Sequence, residues 1–213
     1  MAIDFTSMGA NTPAPTPVDT TAAPAAAGGL LNLEKNSLLN LDKVAPGLTH
    51  AALSIGWDSA VAGTSVDLDV SLIACYANGK IRSGEDVVFY NHKEIPGAKL
   101  DKDNRTGDGE GDDETIHINF ADINPEIMKL VGCVTIDKAT EKRQTFGMVA
   151  NAFARLIDTD TNKELCRYPL KGDYSTSTAV IFVELVRDNG SWSFHTIGEG
   201  LVADLNQIAA RFQ

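Results

Sequence analysis

Apolar and polar residues alternate with a period of two along most of this chain, in short runs separated by turn-forming residues. The runs at 50–57, 66–76, 86–90, 115–120, 129–136, 153–157, 164–170, 178–187 and 191–197 are rich in Val, Ile, Leu and aromatic residues, and each predicts a strand with one face turned to a core. Asn78-Gly79 and Asn189-Gly190 sit between such runs, and Asn-Gly supplies the positive φ values of a tight type I′ hairpin turn. The segments LNLEK (31–35) and LNLDK (39–43) echo one another and predict a small hairpin around Asn36 and Ser37. Helical signals are few. Leu201, Leu205, Ile208 and Phe212 fall on one face at helical spacing, which predicts a C-terminal helix within 200–212, and Pro125 opens a single turn at 124–128. The pattern as a whole predicts an all-β fold, a two-sheet antiparallel β-sandwich with a short C-terminal helix.

Composition divides the chain in two. Residues 1–29 are dominated by Ala, Thr and Pro, which offer little to bury, and are expected to form a flexible arm; 30–213 is long enough for one substantial domain. The 18 basic and 29 acidic residues give a formal net charge of −11, which disfavours nucleic acid as a partner and favours cations or basic protein surfaces. Cys75, Cys133 and Cys166 are odd in number, far apart and set in apolar runs, so they read as reduced core residues rather than a disulfide framework or CxxC site. The first Lys or Arg is Lys35, so the N-terminal stretch lacks the charged region of a signal peptide, and no apolar run approaches the roughly 18 residues a transmembrane segment needs. A cytoplasmic location is expected.

Charge is concentrated in one place. The stretch 101–114 holds seven acidic residues against Lys102 and Arg105, so about half of the chain's excess charge lies in fourteen residues. Gly107, Gly109 and Gly111 interrupt it, which opposes a helix and lets the backbone turn sharply, so that successive carboxylates and carbonyls can face one point. A hard cation such as Ca²⁺ wants an oxygen cage of this kind. The run is not an EF-hand: a loop starting at Asp101 puts Thr106 at the glycine position, and one starting at Asp108 puts Asp113 there. The DTDTN segment (158–162) has Lys163 at that position and reads as a plain hairpin turn.

The second acidic element is the strand of Val66, Asp67, Leu68, Asp69 and Val70, whose alternation puts the apolar residues on one face and both aspartates on the other. Asp is depleted in strands, and two carboxylates about 7 Å apart on one face repel unless a cation compensates. Asp58 after Trp57, and Asn91 after VVFY, lie at strand ends where further oxygens could complete a shell. Each feature has a plainer reading: an acidic glycine-rich loop is also the composition of a solvated connector, and Asp-x-Asp that of a solvated strand face. Their joint occurrence in one small β domain favours the metal. His50, His92, His117 and His195 are scattered without transition-metal spacing, and Glu184, inside IFVELV, is either a buried functional acid or the partner of Arg187 or another cation.

The stretch DNRTGDGEGDDE (103–114) closely resembles the signature of the TerD family of bacterial tellurium-resistance and stress proteins. APGL (45–48), GWD (56–58), DLDVS (67–71), GKIRS (79–83), FYN (89–91), QTFGMVANAFARL (144–156) and ELVRDNGSWSFHTIGEG (184–200) resemble other family stretches in the same order. The resemblance covers roughly 30–200. It implies a β-sandwich with acidic metal-binding loops and two adjacent Ca²⁺ sites, with Asp67 and Asp69 on the strand, Asp58 and Asn91 as contributors, and Asp103, Asn104, Glu110, Asp112, Asp113 and Glu114 in the loop. Asp108 falls where the family varies. The Pro/Ala arm and Lys102, where many members have Gly, depart from the pattern. The residues favour a Ca²⁺-dependent binding module for a protein partner or an anionic membrane surface, with no turnover. The resemblance adds a role in tellurite and stress resistance, with other resistance proteins or an inner-membrane complex as partners and a peripheral location at the inner membrane; an oligomer stays open. The alternatives are a metal-dependent phosphoester hydrolase, for which no nucleophile or P-loop signature is present, and a structural subunit of an assembly.

Overall fold

A computed structural model of the protein describes residues 31–60, 65–101, 111–170 and 174–213. The proposed arm, together with Asp103, Asn104 and Glu110, lies outside the described residues. The chain runs β1 (Leu38–Asn40), α1 (Leu41–Val44), β2 (His50–Ser59), β3 (Leu68–Tyr76), β4 (Val87–Val88), β5 (Glu94–Ile95), β6 (Ala98–Leu100), β7 (Glu114–Asn119), β8 (Ile127–Ile136), α2 (Ala139–Lys142), β9 (Val149–Asp158), β10 (Lys163–Pro169), β11 (Ala179–Asp188), β12 (Ser191–Leu201) and α3 (Leu205–Ala210). Its strands form two antiparallel sheets of six, ordered β1-β12-β11-β8-β3-β4 and β10-β9-β2-β7-β6-β5. The expected sandwich is therefore present.

Alternation fills the space between the sheets. Leu53, Ile55 and Trp57 of β2, Ile116 and Ile118 of β7, and Leu156 of β9 face Leu68, Val70 and Leu72 of β3, Val134 of β8 and Phe182 of β11, all buried. The outer face of the β3 sheet carries a second apolar cluster, Ile73, Cys75, Val131, Cys133 and Ile181, sealed by Ile208 of α3. Strand β3 is thus covered on both faces, and burial pushes the Cys75 thiol up to about 11 and Cys133 to about 12, as expected of inert core cysteines.

Three local readings are corrected. Around Asn36, at φ 63°, the chain does turn, but its two flanks separate: Leu33 N–H donates to Arg167 O and Arg167 N–H to Leu31 O, at 2.8 Å each, while β1 pairs with β12 in the other sheet. Asn40 ends β1 because its side chain accepts from Lys43 N–H at 2.9 Å, which caps α1. At the C-terminus, residues to Leu201 belong to β12, and the helix starts only after Asp204, whose side chain accepts from Gln207 N–H while the Gln207 side chain accepts from Asp204 N–H. Leu201, Leu205 and Phe212 still meet on the same apolar patch. At 124–128 a β-turn closed by Ile127 N–H to Asn124 O leads directly into β8. The short hairpin β5–β6, which turns through Gly97 at φ 82°, has too few residues to show alternation in the sequence.

Candidate metal centre

The last residues of the acidic run reach the body of the protein through backbone geometry. Asp113 N–H donates to Ile55 O at 2.8 Å, and its Oδ2 accepts from Trp57 N–H at 2.9 Å, so the run lies along the end of β2. The close approach is possible because residue 56 is Gly: a Cβ there would stand 2.4 Å from Gly111 O and 2.6 Å from the Phe153 ring. Trp57 then turns its indole inward, where Nε1–H donates to Val66 O at 2.9 Å and ties β2 to the approach of β3.

Glu114 carries the connection between the sheets. It shares the parity of Ile116 and Ile118 and therefore points into the core, 1% exposed. Its Oε2 accepts from Val70 N–H of β3 at 2.6 Å. That N–H lies on the β3 edge beyond the reach of β4, which pairs only with Leu72 and Ile73. A carboxylate from one sheet thus completes the backbone of the other, beside Asp69. Asp67, Asp69, Asp113 and Glu114 are all buried, at 8%, 7%, 5% and 1% exposure. The two segments singled out by charge and by the Asp-x-Asp pattern therefore meet at one end of the sandwich.

The other expected residues occupy different stations. Asp58 is exposed and accepts from Asn151 Nδ2 at 2.8 Å; Asn151 adopts φ 51° at a bulge where β9 carries an extra residue opposite β2. Asn91 is exposed in the tight turn closed by Phe89 and His92. Asp112 is bound at both oxygens by Arg155, at 2.7 and 2.9 Å. Arg155 also reaches Glu164, which holds Arg167, whose guanidinium stacks 4.0 Å from the Phe153 centroid. This ion-pair chain ties the acidic run to the β9–β10 hairpin. The 158–162 segment is the hairpin turn expected, with Asp158 accepting from Asp160 N–H and from Thr161. Glu184 pairs with Lys129 at 2.7 Å, not with Arg187, which stacks on Trp192.

Two neighbours of the centre escaped the sequence reading. Asp137 follows β8, and its N–H donates to Asp67 O at 2.9 Å. Tyr90, 42% exposed, has its phenol pushed above the usual range by burial first and then by the charges of Asp69 and Asp137. The strand-end reasoning that flagged Asp58 applies equally to Asp137. Among the described residues, Ser71 Oγ and Gln144 Oε1 are buried oxygens with no hydrogen-bond partner. Among the same residues, no three His, Cys, Asp or Glu side chains are gathered as a finished metal shell.

Comparison with known proteins gives a consistent result. The family model of the TerD domain matches residues 30–212. The chain is 38% identical over 185 residues to "Tellurium resistance protein TerD" of Serratia marcescens, covering 85% of this chain and 96% of the relative. It is 39% identical over 186 residues to "General stress protein 16U" of Bacillus subtilis (strain 168), with the same coverage. Among solved structures, a protein of unknown function, SAV2460, superposes with a TM-score of 0.65 at 26% identity, covering 76% of this chain and 95% of that one. A TerD homologue from Streptomyces coelicolor A3(2) shares the fold at a TM-score of 0.63 and 23% identity, covering 76% of this chain and 96% of that one.

Proposed function

The chain belongs to the TerD family of tellurium-resistance and stress proteins, and from that premise we propose that it is a calcium-binding module whose ion is held between the acidic run and the strand of Asp67 and Asp69. The observation that carries the reading is the hydrogen bond from Val70 N–H to Glu114, which joins the two carboxylate-bearing segments in a buried place. Burying four carboxylates at one end of the sandwich is costly, because each is desolvated; a divalent cation drawn in between their segments would offset that cost. The donor set is hard oxygen, the chemistry suited to Ca²⁺. Asp67, Asp69, Asp113 and Glu114 would form the inner part of the shell, with Asp58 and Asn91 at its margin and Asp103, Asn104 and Glu110 supplied by the rest of the run. Asp112, clasped by Arg155, would anchor the loop.

No turnover is required of such a site. Cation binding neutralises the cluster and presents a surface to another stress or tellurium-resistance protein or to an anionic membrane surface. Among the described residues no helix is long and apolar enough to cross a membrane, so membrane contact would be peripheral unless strands are involved. The test is thermal unfolding of the full chain with each ion. At a hundredfold excess over the dissociation constant, Ca²⁺ should add about 2.7 kcal/mol, raising Tm by roughly 5–10 °C. Mg²⁺, which dehydrates reluctantly and demands strict octahedral geometry, should add much less. Equal shifts with both ions, or none with either, would sink the reading.

A further inference from the structure

We propose that Gln144 supplies an uncharged oxygen ligand to the same cation, an inference that rests on the calcium reading above. Gln144 is 8% exposed, and its amide is only half satisfied: Nε2 donates to Ser65 O at 2.8 Å, while Oε1 is buried with no partner. A buried carbonyl oxygen left without a donor costs stability, so a site that keeps one has a use for it or a ligand to fill it. The placement indicates the ligand. Ser65 stands two residues before Asp67, and Asp137, at the start of the segment that carries Gln144, donates its N–H to Asp67 O. The segment 137–144 therefore grips 65–67 at both ends, by a backbone bond at one and by the Gln144 amide at the other.

The backbone holds Gln144 in place. Lys138 and Arg143 flank α2 in left-handed conformation, at φ 50° and 54°, and Gln144 N–H donates to Ala139 O at 2.8 Å, closing the helix end. Two non-glycine residues thus adopt a disfavoured geometry on either side of one turn. The amide can be turned in only one sense, because reversal would set its oxygen against Ser65 O. Amide carbonyls are ordinary ligands of Ca²⁺ and add coordination without adding to the repulsion among carboxylates.

Two substitutions separate this role from a merely structural one. Gln144→Leu removes oxygen and donor together; Gln144→Glu removes the donor to Ser65 O but keeps an oxygen. In calorimetric titration of the full chain with Ca²⁺, Gln144→Leu should weaken binding roughly tenfold or more, and Gln144→Glu should bind within about threefold of the parent or more tightly. Equal losses in both variants would show that Gln144 acts only by holding Ser65, and an unchanged Gln144→Leu would show that it does not act at all; either overturns the proposal. A parent protein that binds no Ca²⁺ overturns the calcium reading and this inference with it. If a variant does not fold, the Gln144 side-chain amide resonances of the ¹⁵N-labelled parent decide: they should shift as Ca²⁺ is added and broaden with Gd³⁺, and resonances unmoved by both contradict ligation.

Discussion

Gly56 sets how closely the acidic run can approach the sheet. A methyl at this position would meet Gly111 O and the Phe153 ring well inside contact distance, and backbone cannot yield as a flexible side chain can. Gly56→Ala should cost about 1–3 kcal/mol, the usual penalty of overpacking, and should lower Ca²⁺ affinity, because the displaced segment carries Asp113 and Glu114; urea unfolding and calcium titration of the variant check both. Glu164 is a second sensitive residue. Burial pushes its carboxyl up, but hydrogen bonds and charge from Arg167 and Arg155 outweigh burial and hold it below the usual range. A carboxyl depressed in the folded state stabilises the protein above its unfolded pKa, and that contribution is lost as pH falls through the acid range. Stability should therefore decline from about pH 5 downward, and Glu164→Gln should flatten that decline in urea midpoints measured across pH. At this scale the sequence was only partly legible. Asp112, Asp113 and Glu114 are adjacent and look interchangeable, yet one meets an arginine, one a backbone N–H of its own sheet, and one crosses to the opposite sheet. Only the parity of Glu114 with Ile116 and Ile118 announced its inward direction.

Every strand of six residues or more was legible, because one buried face enforces alternation, whereas the strand expected at 86–90 shrinks to the two residues of β4. Elements that answer to edges and caps were not. The segments 31–35 and 39–43 look like partners, but each instead reaches an edge of a different sheet. In α3, helical spacing correctly grouped Leu205, Ile208 and Phe212 and wrongly drew in Leu201, since a strand residue that ends on the same patch shares the same apolar character. The packing of α3 has a measurable weight. Ile208 is fully buried against the outer face of the β3 sheet, so Ile208→Ala should destabilise the protein by about 2–5 kcal/mol. Because α3 packs on the Ile73 and Cys75 part of β3 rather than beside Asp69, calcium affinity in the remaining folded protein should change little. Chemical denaturation paired with calcium titration separates the two effects.

For the molecule as a whole, the sandwich carries Asp67, Asp69, Asp113, Glu114 and Asp137 at one end, where β2 finishes, β3 and β7 begin, and Asp137 follows the end of β8. That end is where the two sheets are joined by a side chain from one to the backbone of the other, so a cation bound there would be linked to sheet-to-sheet cohesion. Asp67 and Asp69, at the entry to β3, and the acidic run could each be read from the sequence as charge anomalies. That they meet required the pairing of β2 with β7, between residues about sixty to seventy positions apart, and the packing of the two sheets that brings Glu114 to Val70, neither of which a local pattern carries. The most direct measurement is a double-mutant cycle in Ca²⁺ affinity with Asp69→Asn and Glu114→Gln, one from each segment, read by calorimetry on the full chain. If both carboxylates serve one ion, each single change should weaken binding about tenfold or more, and the double variant should lose less than the sum of the two in free energy. Losses that add without coupling, or single variants that bind as the parent does, would contradict a site shared between the two segments.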